Sequence, residues 1–239
     1  MRAVVCGANG AMGKLICGIL GDEVIGKVSI DGEHGVPKTF GELGMVDCDV
    51  LIDFSHHSAV ADVLNYAKAV RCAAVIGTTG HTPEEKALID AASREIPVFF
   101  AGNVSLGIAV LCRLVKEAVR FFPDADVEIV EVHHIRKVDA PSGTALMLFN
   151  AVKEVRPEAV ANCGRSGEGK RTKEEVGIHA LRMGNVVGIH EVHINTGNQT
   201  LVLKHESGSR AMLADGAVAA ARFIAGKGVG FYNMESILG

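Results

Sequence analysis

Arg2-Ala3-Val4-Val5-Cys6-Gly7-Ala8-Asn9-Gly10-Ala11-Met12-Gly13-Lys14-Leu15-Ile16 stands at the start of the chain. Arg2 to Cys6 reads as a short buried strand. After the glycine turn, Met12, Leu15, Ile16, Ile19 and Leu20 recur at helical spacing. Glycines between a strand and a helix let the backbone turn tightly and approach a pyrophosphate, whose charge then meets helix N–H groups and the helix dipole. The spacing is G-x-x-G-x-x-G, a weak signal alone because glycine turns are common. Its place as the first strand-turn-helix of an alternating chain is what raises it to a dinucleotide cradle.

The alternation continues outward. Val24 to Ile30 reads as a second strand, followed by a polar, glycine-bearing loop. Asp49 to Phe54 is a third strand, Ser58 to Val70 a helix, Cys72 to Ile76 a fourth strand and Pro97 to Ala101 a fifth. Between the last two, Thr82 as N-cap, Pro83 at the first helical position and Glu85 completing a capping box mark a helix start. Each strand is nearly all apolar, as burial on both faces requires. The fold class is therefore α/β, a doubly wound parallel sheet.

Beyond Asn103 the texture changes. Val104 to Phe121 reads as a long helix, Val127 to Val132 as a strand and Ser142 to Val155 as a helix. Residues 156–176, rich in Gly, Ser and charge, read as a long mobile loop. Three close-set strands follow, Ile178 to Met183, Val186 to Ile194 and Thr200 to His205, so a second domain of α+β type with an antiparallel or mixed sheet is expected. An alanine-rich helix, Ala211 to Ala225, returns to the first domain. The boundaries drawn are 1–105 plus 209–239 for the first domain and 106–208 for the second.

Composition narrows the function classes. With 48% hydrophobic and 22% charged residues the chain is an ordinary globular protein, and a net charge of −4 with scattered Lys and Arg gives no footprint for nucleic acid. No run approaches ~18 apolar residues, so no membrane partner is expected. The six cysteines, Cys6, Cys17, Cys48, Cys72, Cys112 and Cys163, form no Cys-x-x-Cys pair. A strand-like start with no leader pattern and thiols in apolar stretches fit a reducing, cytoplasmic setting.

Several segments fall at the carboxyl ends of strands, where such sheets bind ligands. A ribose-binding acid is expected about 20 residues past the glycine turn; Asp31 is the best candidate and Glu33 the alternative. No arginine adjoins them to hold a 2′-phosphate, which leans toward NADH, although Lys14 or Lys27 can serve NADPH. Gly77-Thr78-Thr79-Gly80 and Ala101-Gly102-Asn103 are candidate walls for the nicotinamide and its ribose. His56-His57 reads equally as a dinucleotide contact and as a surface pair.

Glu131-Val132-His133-His134-Ile135-Arg136-Lys137-Val138-Asp139-Ala140-Pro141-Ser142-Gly143-Thr144-Ala145 leaves a strand and enters a helix. Two imidazoles, a guanidinium and an amine fall within five residues. Asp139 can cap the incoming helix, and Ser142, Gly143 and Thr144 offer N–H groups to an anion. This suits a small carboxylate substrate that needs proton transfer; a hydrogen-bonded turn with a solvated lysine is the plainer reading. His190-Glu191-Val192-His193 misses the zinc-protease spacing and reads as strand, with His190 and Val192 on one face. No metal is expected.

With these residues in view the chain resembles the dihydrodipicolinate reductase family of lysine and diaminopimelate synthesis. The resemblance covers essentially the whole chain: Gly7 to Gly13, Asp53-Phe54-Ser55, Val75 to Gly80, Asn103-Val104-Ser105-Leu106-Gly107 and Val132-His133-His134 through Thr144-Ala145. It implies a Rossmann dinucleotide-binding domain beside a substrate-binding and oligomerisation domain. It also implies reduction of 4-hydroxy-tetrahydrodipicolinate (dihydrodipicolinate) to tetrahydrodipicolinate with NADH or NADPH, and a homotetramer built through the second domain. By the same resemblance His133 is the proton donor or acceptor and Lys137 the proton donor beside it, while His134, Lys137, Gly143 and Thr144 hold the substrate. Gly7, Ala8, Asn9, Gly10, Ala11 and Met12, then Gly77, Thr78 and Thr79, then Ala101, Gly102, Asn103 and Val104 line the dinucleotide. His56 and Ala11 depart from arginines common among relatives; both lie around the cofactor and bear on coenzyme preference.

Overall fold

When helices cover both faces of a parallel sheet, no side chain of an inner strand meets water, and period-two patterning disappears. The computed structural model describes residues 1–239. In chain order its first stretch runs β1 (Ala3–Cys6), α1 (Ala11–Leu20), β2 (Val24–Val28), α2 (Phe40–Leu43), β3 (Val50–Asp53), α3 (Val60–Val70), β4 (Ala73–Ile76), α4 (Pro83–Ala92) and β5 (Pro97–Phe100). Then come α5 (Leu106–Phe121), β6 (Asp126–His133), α6 (Gly143–Val155), β7 (Val160–Cys163), β8 (Glu175–Arg182), β9 (Gly188–Asn195) and β10 (Thr200–Ser207). The chain ends with α7 (Ala211–Ile224), β11 (Gly230–Tyr232) and α8 (Met234–Leu238). Two units result: Met1–Leu106 with Ala211–Gly239, and Gly107–Arg210.

The first unit holds a six-stranded, wholly parallel sheet in the order β11-β5-β4-β3-β1-β2. β1, β3 and β4 are buried at every residue, as their unbroken apolar runs require. Val4, Leu51, Ala74, Ile76 and Val98 pack against Val63, Leu64 and Ala67 of α3 and Ile89 and Ala92 of α4. α1 and α7 pack together, and α7 lies along β3, β4 and β5. Ala214, Ala217, Ala220 and Ala221 are fully buried there, their small side chains admitting a close approach. Strand order reverses at β1, with β2 on one side and β3 on the other. The crevice beyond the carboxyl ends of β1 and β3 is thus the topological switch point where ligands of doubly wound sheets bind.

The second unit carries a mixed five-stranded sheet, β10-β9-β6-β8-β7, in which β6, β8 and β7 are parallel and β9 and β10 antiparallel. Ile108, Leu111, Val115 and Val119 of α5 and Leu148, Phe149 and Val152 of α6 cover one face, meeting Val127, Ile129, Val176, Ile178, Val192 and Ile194. β9 shows strict alternation, with His190 and Val192 buried and Glu191 and His193 half-buried on the other side, as the sequence indicates.

Most elements lie within two or three residues of the sequence reading, and the Thr82–Pro83–Glu85 capping box is present as read. Three differences stand out. Residues 156–176 are not one loop, because β7 pairs in parallel with β8 inside them. That segment is held by arginine side chains donating to carbonyls, Arg156 to Ala125 and Lys173 and Arg165 to Gly169, each at 2.8 Å, and such bonds leave no apolar periodicity. β11 and α8 extend the first unit beyond the alanine-rich helix. α2 interrupts the loop after β2, its start fixed by Thr39 accepting the N–H of Glu42.

Candidate active site

At the end of β1 the glycine turn closes on itself. Gly7 has φ +78°, and a Cβ there would stand 2.5 Å from the Phe54 carbonyl oxygen at the end of β3. A Cβ on Gly13 would lie 2.1 Å from the Gly7 carbonyl oxygen. Both positions therefore require glycine for the backbones to meet at the switch point. The N–H groups of Gly7 and Ala8 both donate to the Val28 carbonyl, at 2.8 and 3.1 Å. These two residues shape the turn. The donors at the start of α1 are those of Ala11, Met12 and Gly13, since Gly10 provides no side-chain cap and the first turn holds no acid.

Two adjoining clefts open at this edge. The larger, about 1180 Å³, is lined by Gly7, Gly10, Asp31, Lys38, Phe40 and Tyr66 among others, and the smaller, about 400 Å³, by Met12, Gly77, Thr78, Thr79, Asn103 and Val104 among others. Gly102 also lines the smaller one, and Phe54, Ser55 and His56 line both. Ala8, Asn9, Ala11 and Ala101 of the expected set do not line either cleft. Asn9 acts one step back: its amide donates to Asp31 at 2.6 Å. That bond, with the N–H of Glu33, holds the Asp31 carboxyl below its ordinary range. Glu33, the alternative acid, contributes its backbone here.

Asp53, which the sequence marks only as part of a motif, has a structural role here. This carboxyl at the end of β3 has no exposed surface. Its Oδ1 accepts the N–H and hydroxyl of Ser55, at 3.1 and 2.5 Å, and its Oδ2 accepts the Thr78 hydroxyl at 2.7 Å. Burial pushes it up, and these hydrogen bonds offset part of that rise. One buried acid thereby pins together two walls of the clefts. Phe40, Lys38 and Tyr66 were unseen, because they reach the cleft from α2, its approach and α3.

In the second unit the constellation of residues 131–145 is assembled around Glu131, also without exposed surface. Oε2 of Glu131 lies 2.5 Å from Nδ1 of His133, two residues along the same face of β6. Arg182 donates to both carboxylate oxygens at 2.9 Å, and the N–H of Ser142 donates to Oε1 at 3.1 Å. Burial raises the Glu131 carboxyl, but Arg182, His133 and the Ser142 N–H outweigh it and hold the group below its ordinary range. Ser142, not Asp139, caps α6, its hydroxyl accepting the N–H of Ala145 and meeting Nε2 of His190 at 3.2 Å. Asp139, three residues before that cap, instead pairs with the Lys137 amine at 2.8 Å.

The remaining expected residues fall in the same locality. Nδ1 of His134 is buried with no hydrogen-bond partner, and burial, then the charges of Arg136, Arg210 and His133, lowers that imidazole's proton affinity. Gly143, the first residue of α6, is exposed, and a side chain there would meet nothing within 4 Å; Thr144 follows it in the same turn. His190 stands edge-on to His133, 5.1 Å between ring centres. Burial, followed by the charge of His133 and then those of His205 and Lys137, pushes it down to about 4, with Glu131 opposing. Chemically, the cluster offers an oriented imidazole, an amine held by an exchangeable carboxylate, an unpartnered ring nitrogen and a helix N-terminus. Such a set has the chemistry to bind a small dianion and to move a proton.

Residues 1–104 match the family model described as dihydrodipicolinate reductase, N-terminus, and residues 107–238 the model for its C-terminus. The 4-hydroxy-tetrahydrodipicolinate reductase of Clostridium tetani is 38% identical over 247 residues, spanning 100% of this chain and 97% of the relative. That of Caldanaerobacter subterraneus subsp. tengcongensis is 39% identical over 246 residues, spanning 100% and 98%. Among solved structures, the dipicolinate-bound dihydrodipicolinate reductase from Paenisporosarcina sp. TG-14 superposes with a TM-score of 0.81 at 22% identity, covering 98% and 97% of the two chains.

The state of His190 makes acid stability measurable. The folded protein holds this imidazole neutral, whereas the unfolded chain protonates it near pH 6.5. Stability from this source is complete above about 6.5 and declines as pH falls toward 4. His190→Gln, which keeps a partner for Ser142 without titrating, should flatten that decline in urea unfolding curves taken between pH 7 and 4. An unchanged slope would show that His190 is not the group responsible.

Proposed function

The chain belongs to the dihydrodipicolinate reductase family, and from that membership we propose how its two units divide the chemistry. It reduces 4-hydroxy-tetrahydrodipicolinate to tetrahydrodipicolinate in lysine and diaminopimelate synthesis, as an oxidoreductase that uses a nicotinamide dinucleotide. The net reaction takes up one hydride and one proton and releases water. In this division residues 1–105 plus 209–239 hold the dinucleotide, and residues 106–208 hold the substrate.

The glycine cradle fits such a cofactor, because its backbones meet only where side chains are absent and the α1 donors beyond it carry no cap. Gly10, Ala11 and Met12 would hold the pyrophosphate. Gly7, Ala8 and Asn9 would maintain the turn. Thr78, Thr79, Gly102, Asn103 and Val104 would wall the nicotinamide end, with Gly77 and Ala101 setting their approach. When bound, the reduced nicotinamide supplies the hydride. Asp31 would accept from the adenosine ribose. Its carboxylate, held ionised by Asn9, favours NADH over the 2′-phosphate of NADPH.

On the second unit the substrate dicarboxylate takes the place beside Lys137 that Asp139 fills here. One carboxylate meets the α6 start at Gly143 and Thr144, and His134 donates or accepts at its unpartnered Nδ1. Lys137 and the helix dipole stabilise the negative charge that develops on the ring as hydride arrives. Nε2 of His133 exchanges the proton, with Lys137 as the donor beside it. The observation that carries this reading is the junction of β6 and α6, where one buried carboxylate holds both His133 and the helix start. The second reading of this region, a mere hydrogen-bonded turn, leaves the buried Nδ1 of His134 without a use.

A homotetramer built through the second unit is supported by the sheet face that α5 and α6 leave uncovered. It presents Val202 and Leu181, nearly half exposed, beside the paired charges His179–Glu128 and Lys204–Glu191.

Three measurements test these proposals. His133→Ala should lower turnover about 10²–10⁴-fold while leaving NADH affinity within twofold; unchanged turnover would remove His133 from the chemistry. Asp31→Asn should lower the NADH-to-NADPH ratio of kcat/KM by about tenfold, since one carboxylate no longer opposes a phosphate, and an unaltered ratio would discard Asp31 as the selector. Light scattering should return a mass of about four chains of 25.1 kDa; a concentration-independent monomer would refute the tetramer.

A further inference from the structure

An imidazole can transfer a proton at either nitrogen, so whatever fixes one nitrogen decides which of them reacts. In β6 the Nδ1 edge of His133 lies 2.5 Å from Glu131. That carboxylate is acceptor-only when ionised, and the Arg182 fork and the Ser142 N–H keep it so. Nδ1 must then carry the hydrogen. The opposite edge meets β9 at Gly188, where a Cβ would stand 3.2 Å from Nε2. Lacking a side chain, Gly188 leaves that nitrogen uncrowded.

We propose that Glu131 is the positioning residue of the proton-transfer centre: it commits Nδ1 of His133 to its own carboxylate and leaves Nε2 as the only nitrogen able to exchange a proton with substrate. The inference deepens the reading of His133 given above and rests on it. Arg182 belongs to the same device. It stands opposite His133 in the β6–β8 register and aligns the carboxylate through both oxygens. The titratable and charged groups around the pair are Glu131 from β6, Arg182 from β8, His190 from β9, His205 from β10, and Lys137 with Asp139 from the following loop. Of these, Glu131 alone is hydrogen-bonded to His133.

Glu131 also anchors the start of α6 through Ser142, so its loss has two separable consequences. Poorer substrate binding would appear in KM; a misoriented imidazole would appear in kcat and in the pH profile. Glu131→Gln should lower kcat by about 10–100-fold, the usual cost of losing an orienting partner, and should move the fall of kcat/KM with rising pH to lower pH. In the His133→Ala background the same substitution should leave kcat within twofold. Equal loss of kcat in both backgrounds would overturn the proposal, because Glu131 would then act without His133.

A second measurement needs no variant at Glu131 to fold. In wild-type protein labelled with ¹⁵N-histidine, the His133 nitrogens are assigned by their disappearance in His133→Ala. At a pH where the ring is neutral they should show the hydrogen on Nδ1 and none on Nε2. The reverse tautomer would overturn the proposal outright. Should His133→Ala keep wild-type turnover, the catalytic reading itself fails; should it lose turnover while Glu131→Gln keeps it, only the positioning role fails.

Discussion

A carboxylate without exposed surface in the middle of a strand is tolerable only when its oxygens are fully engaged, since an uncompensated buried charge costs several kcal/mol. Glu131 meets that condition with donors from three directions: Arg182 on β8, the Ser142 N–H at the start of α6 and the His133 ring on its own strand. The demand of one charge therefore locks two strands and a helix into a single arrangement. The imidazole and the helix start assigned to the substrate share this anchor, so neither can drift without the other. Ser142 is held a second time by His190, whose burial favours the neutral ring.

The first unit solves its problem by omission as much as by bonding. At Gly7 and Gly13 the absence of a Cβ lets the ends of β1 and β3 and the start of α1 come within contact distance. Asp53 then supplies the positive interaction, joining the loop after β3 to the loop after β4 through Ser55 and Thr78. The larger cleft presents apolar side chains such as Phe40, Met45 and Phe54 beside the acids Asp31 and Asp62 and one lysine, Lys38.

The doubly wound sheet was legible because burial on both faces forces unbroken apolar runs, and glycine turns and capping residues mark the joints. Thr82, Pro83 and Glu85 announce α4 in three residues, and the structure honours each. Residues 131–145 were legible as a polar cluster, but not its organisation. Glu131 and His133 are two apart in a strand, and that spacing alone places them on one face; the role of Arg182, fifty-one residues away, exists only through the β6–β8 register. Asp139 looked like a helix cap by residue type, yet Ser142 stands immediately before the helix and Asp139 has Lys137 to satisfy it. β7 was invisible because its four residues are partly or fully exposed, so no apolar pattern announces them. Phe40 and Lys38 reach the larger cleft from α2 and its approach, whose course no local pattern dictates.

The first unit is discontinuous, and this bears on how the molecule comes into being. Its sheet lacks an edge strand, and the β3–β5 surface lacks its alanine-rich cover, until α7 and β11 are available. Gly216 of α7 seats against the Val104 carbonyl so closely that no side chain fits between them. During synthesis the unit begun first is therefore closed only after the second has been made: residues 107–210 emerge as one continuous piece before α7 and β11 arrive to cover and extend the amino-terminal sheet.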